Sequence, residues 1–171
     1  FADNENGRFY IENGMVNFNC AGIISDGTDL VYVENGYVQC DYTGIKENNG
    51  IWWRIENGKV NINYEGFADN ENGRFYIQNG QVDFGCTDVM QDGSDWVYVE
   101  GGHVRYDYTG IRPNDNGWWR IEEGKVNFNY EGFADNENGR FYIENGQVDF
   151  GRTEVMQDGS DWVYVEGGHV R

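Results

Sequence analysis

Residues 8–19, Arg8-Phe9-Tyr10-Ile11-Glu12-Asn13-Gly14-Met15-Val16-Asn17-Phe18-Asn19, read as a β-hairpin. Asn13-Gly14 is its corner, because a type I′ turn needs positive φ at both central residues. A two-residue turn also sets the register. Glu12 faces Met15, Ile11 faces Val16, Tyr10 faces Asn17, Phe9 faces Phe18 and Arg8 faces Asn19. Side chains alternate along a strand, so Phe9, Ile11, Val16 and Phe18 share one face and the polar pairs share the other.

The same pattern runs outward along the chain. FADNENGRFYIENG begins at Phe1 and returns almost unchanged at Phe67 and Phe133, an outer period of 66 residues. Within it lies a period of 22: Gly recurs at positions 14, 36, 58, 80, 102, 124, 146 and 168, with Val two residues after each. The repeats are 1–22, 23–44, 45–66, 67–88, 89–110, 111–132, 133–154 and 155–171, expected to form a single array over 1–171. The chain begins at Phe1 and stops within a repeat at Arg171, so a fragment of a longer protein is expected.

A lone hairpin is marginal in water, and stacking neighbours buries its apolar face. Three strand types rotate. Repeats one, four and seven carry Arg-Phe-Tyr-Ile, repeats two, five and eight carry Leu- or Trp-Val-Tyr-Val, and repeats three and six carry Trp-Trp-Arg-Ile. The expected fold is all-β, a β-hairpin solenoid with about three hairpins per superhelical turn. Duplication of a 66-residue cassette without geometric meaning is the other reading.

Thirty acids against twelve bases give a net charge of −18, a field that repels nucleic acid and anionic lipid. No apolar run is long enough to span a membrane, so no membrane insertion is expected. An enzyme is not expected: a catalytic site needs a unique constellation, and nearly every polar residue here has a copy 66 residues away. No GxSxG, HExxH or phosphate-loop motif occurs.

The stretch Gly50-Ile51-Trp52-Trp53-Arg54-Ile55-Glu56-Asn57-Gly58-Lys59-Val60, closing with Tyr64-Glu65-Gly66, resembles the cell-wall-binding repeats of Gram-positive surface proteins. That group includes choline-binding repeats, glucan-binding repeats and the repetitive tails of clostridial toxins. The resemblance implies a hairpin solenoid on a secreted or surface bacterial protein that attaches to wall polymers, glycans or host receptors. The choline-binding pattern places Trp after the closing Gly, as part of an aromatic cage. Here that position holds Phe1, Ile23, Ile45, Phe67, Val89, Ile111, Phe133 or Val155, and aliphatic side chains offer no π face to an ammonium. A relative with another ligand is expected.

Register turns positions 8 and 10 of each repeat outward, with position 17 facing position 10 across the turn. The candidate ligand-binding residues are therefore Trp52, Arg54, Trp96, Tyr98, Arg105, Trp118, Arg120, Trp162 and Tyr164. An exposed indole beside amides and carboxylates suits a sugar ring, stacking on its C–H face while the polar groups take hydroxyls. The same set suits a protein hot spot. The expected partner is a glycan or cell-wall polymer, with a host protein or a passive stalk as the alternatives. Trp53, Trp119, Tyr42, Tyr64, Tyr108, Tyr130 and Cys40 have inward parity and are expected in the core. His103 and His169 are expected to be exposed.

The segments before each first strand, such as Asp3-Asn4-Glu5-Asn6-Gly7 and Asp92-Gly93-Ser94-Asp95, read as acidic loops. No cofactor is expected, with Ca²⁺ in these loops as the one open alternative. A Cys20–Cys40 bridge is left open, since three cysteines without a CxxC define no framework.

Overall fold

The computed structural model describes residues 1–171 and contains twenty-five short strands and no helix. The chain divides into two compact units, Phe1–Asp83 and Phe84–Arg171.

Within each unit, a repeat is a three-stranded antiparallel meander. The expected Asn-Gly hairpin is present: Ile11 pairs with Val16 and Glu12 with Met15, and the same register recurs at Ile55↔Val60 and Ile121↔Val126. Asn13 and Gly14 take φ of 50° and 81°, as the turn requires. The hairpin is short, however. Its second strand ends at Val16, Val60 or Val126, and the earlier part of the first strand pairs with the segment before it.

That segment corrects the loop reading. Gly66–Asn70 is a strand that pairs with Gly73–Gln78 around Glu71-Asn72, matching Phe67 to Tyr76, Ala68 to Phe75 and Asp69 to Arg74. Asp88–Asp92 and Asp95–Glu100 do the same around Gly93-Ser94. Phe9 therefore faces Ala2, not Phe18. The cause lies just past Val16. The Asn17 side chain accepts a bond from the Asn19 N–H, and the Cys20 N–H bonds the Asn17 carbonyl, so the chain turns where the parity argument assumed strand. Asn61, Asn127 and Asp149 repeat the device.

Neighbouring repeats are joined through the short turn. The Gly58 N–H bonds the Tyr42 carbonyl, and the Gly58 carbonyl accepts from the Tyr32 N–H. Gly124 makes the equivalent pair with Tyr108 and Tyr98. One ladder contact accompanies each junction, such as Val31↔Lys59 and Val97↔Lys125. Both units are thus β-hairpin solenoids in which each repeat supplies an edge for the next.

Within each unit the core is built on residues three before a turn glycine. Val33, Ile55, Ile77, Val99, Ile121, Ile143 and Val165 have no exposed surface. In the second unit, Val89, Tyr98, Ile121 and Val126 form one cluster and Ile111, Ala134, Phe141, Ile143 and Val148 another. Each cluster draws on two successive repeats, which is why stacking stabilises hairpins that would be marginal alone.

Candidate functional site: aromatic grooves between hairpins

In the second unit, rings from successive repeats converge beside the short turn. Trp118 of the sixth repeat lies 5.3 Å from Phe141 and 5.6 Å, edge to face, from Phe150 of the seventh. His169 of the eighth covers Phe141 at 4.8 Å. Glu144, Asn145, Gln147, Val148 and Asp149 complete an open groove with Phe150, which is 49% exposed. One repeat earlier, Trp96 stacks on Trp119 at 6.3 Å, and Trp119 meets Phe128 at 5.6 Å. In the first unit, Phe9, Phe18 and Tyr37 form such a set, and Trp52 lies against Phe75 at 5.2 Å.

The outward residues are less open than parity suggests, because the following hairpin covers them. Trp52 and Trp118 are half-buried against the core clusters of their units. Tyr98 is 3% exposed and its hydroxyl donates to Glu100, which corrects its expected outward placement. Arg54 and Arg120 lie over the closing rings Tyr64 and Tyr130 at 4.7 and 4.8 Å. Arg105 is held by Glu100 and Asp107. Trp162 and Tyr164 are 71% and 45% exposed, in contrast to Trp96 and Tyr98, which the sixth repeat covers. The structure brings Trp96 and Trp118 into aromatic groups but gives the arginines separate partners.

A second pattern accompanies the grooves. Tyr32 and Tyr42 stand 5.0 Å apart, and the Lys46 ammonium lies 5.3 and 5.0 Å from their ring centres. Tyr98 and Tyr108 stand 4.8 Å apart, with the Arg112 guanidinium at 5.2 and 4.7 Å. Burial pulls the Lys46 ammonium down, yet Tyr32, Tyr42 and Glu34 outweigh it and hold Lys46 above its ordinary range. Burial raises Tyr32, Tyr42, Tyr98 and Tyr108 above the usual phenol range.

Phe18, which parity places on the apolar face with Phe9, is exposed, and so are Phe128 and Phe150 at the same position of later repeats. Cys40 occupies the same turn position and is exposed for the same reason, correcting its inward placement. The Asn or Asp one residue earlier, followed by Asn or Gly, is the signal that could have found Phe128 and Phe150, and it is absent before Cys40, which follows Gln39. His103 and His169 are both half-buried, not exposed, and His169 packs on Phe141. All three cysteines are free thiols, so Cys20 and Cys40 are unbridged. The acidic segments are turns closed by their own side chains: Asp26 accepts from the N–H groups of Thr28 and Asp29.

The family model described as "Choline-binding repeat" matches residues 1–17, 41–61, 63–83, 107–127 and 129–149. No curated protein matches. Among solved structures, CbpJ from Streptococcus pneumoniae TIGR4 aligns at 18% identity and a TM-score of 0.40, covering 96% of this chain and 56% of that one. Choline binding protein F from Streptococcus pneumoniae aligns at 18% identity and 0.36, covering 92% and 49%. An alternansucrase in complex with isomaltononaose aligns at 17% and 0.38, covering 96% and 13%. The chain therefore spans about half the length of the first two.

Proposed function

This chain belongs to the choline-binding repeat family, and from that premise we propose that it is a non-enzymatic binding module of a secreted or surface bacterial protein. It holds a cell-wall polymer or glycan in the aromatic grooves between successive hairpins. The observation that carries this reading is the convergence of Trp118, Phe141 and Phe150 beside Gln147 and Asp149. A ring there offers a flat apolar face to sugar C–H groups, and the neighbouring amide and carboxylates accept or donate to hydroxyls. Such a groove is shallow, so recognition relies on several of them acting on one polymer. Trp52, Trp96, Trp118, Phe128 and Phe150 are the residues assigned to contact, with Trp162 the most open ring and Tyr164 exposed beside it in sequence.

The test is retention on Gram-positive cell walls, on insoluble glucan and on a choline-substituted resin. Phe150→Ala, which removes an exposed ring without opening the core, is expected to weaken retention on one of these supports about tenfold. Retention by a host serum protein that survives excess free glycan, with no retention on any of the three supports, would sink the proposal.

A further inference from the structure

Asn precedes Gly at ten places in this chain. That pair is chemically labile. A glycine nitrogen has no side chain to shield it, so it can reach the side-chain amide of the preceding Asn and close a five-membered ring. The attack needs a glycine N–H free to lose its proton and a backbone free to swing. The fold withholds these at nine of the ten places. The N–H groups of Gly36, Gly58, Gly80 and Gly146 donate to the carbonyls of Cys20, Tyr42, Tyr64 and Tyr130 in the preceding repeat, at 2.9–3.0 Å, and all four glycines are buried. Gly7, Gly73, Gly117 and Gly139 stand opposite Asn4, Asn70, Asn114 and Asn136 in the ladder, the position whose N–H closes a turn. The Gly50 N–H donates to the Glu47 carboxylate, whose charge opposes removal of that proton.

Gly14 differs. It is exposed together with Glu12, Asn13 and Met15, and its N–H makes no hydrogen bond to the protein. Its hairpin is also weakly anchored. Ile11–Glu12 and Met15–Val16 form a two-stranded sheet of their own, whereas Lys59–Val60 and Gln81–Val82 also pair with the repeat before them. Ile11 is half-buried, whereas its counterparts Ile55, Ile77 and Ile121 have no exposed surface. A two-stranded ribbon of this kind opens locally at little cost.

We infer that Asn13-Gly14 is a modification site at which the chain deamidates spontaneously, and that contact with a preceding repeat shields the like turns at Asn35, Asn57, Asn79 and Asn145. Base removes the Gly14 amide proton, the nitrogen bonds to Asn13 Cγ, and the Cγ–Nδ2 bond breaks with loss of ammonia. One water then opens the succinimide. Cleavage between Cγ and the Gly14 nitrogen gives Asp, and cleavage between that nitrogen and the main-chain carbonyl carbon gives isoaspartate. Amide and water become carboxylic acid and ammonia, with no oxidant or cofactor. Isoaspartate adds a methylene to the backbone, which breaks the two-residue turn that sets Ile11 against Val16. The inference is independent of what the aromatic grooves hold. Local sequence does not single out the site, because Glu precedes the pair at Asn13, Asn35, Asn57 and Asn145 alike.

The experiment is incubation of the full chain in mildly alkaline buffer, followed by proteolytic mapping that separates Asn, Asp and isoaspartate at each pair. In the native fold, Asn13 is expected to convert about tenfold faster than Asn35, Asn57, Asn79 or Asn145, with isoaspartate among the products. In denaturing urea, the four Glu-Asn-Gly pairs should react at similar rates. Asn13→Gly keeps a turn the chain already uses at Gly101-Gly102, and it should abolish the fast release of ammonia while leaving the other sites unchanged. Equal native rates at Asn13 and the four shielded turns would overturn the inference. So would a faster reaction at Asn6 or Asn49, or fast ammonia release that persists in Asn13→Gly. A preference for Asn13 that survives in urea would overturn it too, because neighbouring side chains and not the fold would then set the rate.

Discussion

The turn glycine of a repeat that packs on a preceding one is constrained twice. Gly58 sits at φ +78°, where a side chain is strained, and a Cβ there would stand 2.7 Å from the Gln39 carbonyl oxygen and 2.9 Å from Cys40 Cα. Gly14 has a similar φ of +81° but open space around it. The two positions therefore separate backbone strain from close approach. Gly14→Ala should cost about 1–2 kcal/mol, the strain alone. Gly58→Ala should cost a further ~1–3 kcal/mol, because the preceding repeat must shift away. Urea denaturation of both variants checks the difference, and equal losses would mean the repeats can part without cost. Glu123 offers the reverse case. It holds φ +48° where the other turns use Asn or Gly, and it is exposed. Glu123→Asn should stabilise the chain by about 0.5–1 kcal/mol, since Asn tolerates the left-handed region better.

At the level of elements, four junctions are keyed by one residue at the start of the long strand and one residue after the turn glycine of the next repeat. Asp29 meets Lys59 and Asp95 meets Lys125, both at 2.6 Å. At the next junction Gly117 makes room for the Gln147 side chain, and Gly139 for the His169 ring. The order of the repeat types thus has a reason at these four junctions: a Lys repeat fits after an Asp repeat, and the Gln147 and His169 repeats fit after Gly ones. Lys125→Asp should lower the melting temperature, and the double variant with Asp95→Lys should recover most of it. No recovery would mean the pair is a bystander. The pair is half-exposed, so the effect should shrink with added salt. Much of this architecture was legible in the sequence. Asn13-Gly14 announced the turn because few residue pairs accept its φ values. The strands at Ala2–Asn4 and Gly66–Asn70 were hidden because Asn, Asp and Gly mark loops and turns alike, and three or four polar residues show no apolar stripe. The groove was half legible. Trp96 and Trp118 stood out by type, whereas Phe150 was misplaced because Asp149 ends the strand one residue before it. Tyr98 was misplaced because alternation along one strand cannot show that a second hairpin covers its far side.

Across the whole molecule, charge is distributed unequally between use and display. All twelve bases are engaged: eight lie over aromatic rings, and Lys59, Arg105, Lys125 and Arg171 pair with carboxylates. The net −18 is therefore displayed by acids, and it opposes compactness by self-repulsion. Acidification from pH 7 relieves that repulsion first. Further acidification removes specific support: the hydrogen bond from Arg105 holds Asp107 down to about 2, and the one from Arg140 holds Asp158 below the usual range. A carboxylate depressed on folding stabilises above its unfolded pKa of about 3.9, and that contribution is lost as pH falls through its folded value. The melting temperature should accordingly rise between pH 7 and about pH 5, then fall below about pH 4. A steady fall from pH 7 would show that ion pairs outweigh repulsion throughout, and Asp158→Asn should flatten only the acid limb. The same display bears on binding. A module with one groove per junction gains little from any single contact, because each exposed ring, such as Phe128 or Phe150, meets its ligand from one side only. Joining several grooves to one polymer raises the effective concentration of each later contact to the millimolar range, about 10²-fold or more in avidity. Retention on the polymer should therefore be released far more readily by an oligomer than by the same number of free units, by about 10²-fold per unit. Phe18→Ala combined with Phe150→Ala, one groove in each unit, should narrow that gap. Equal potency of oligomer and free unit would mean a single groove does the binding, and the repetition would then serve the fold alone.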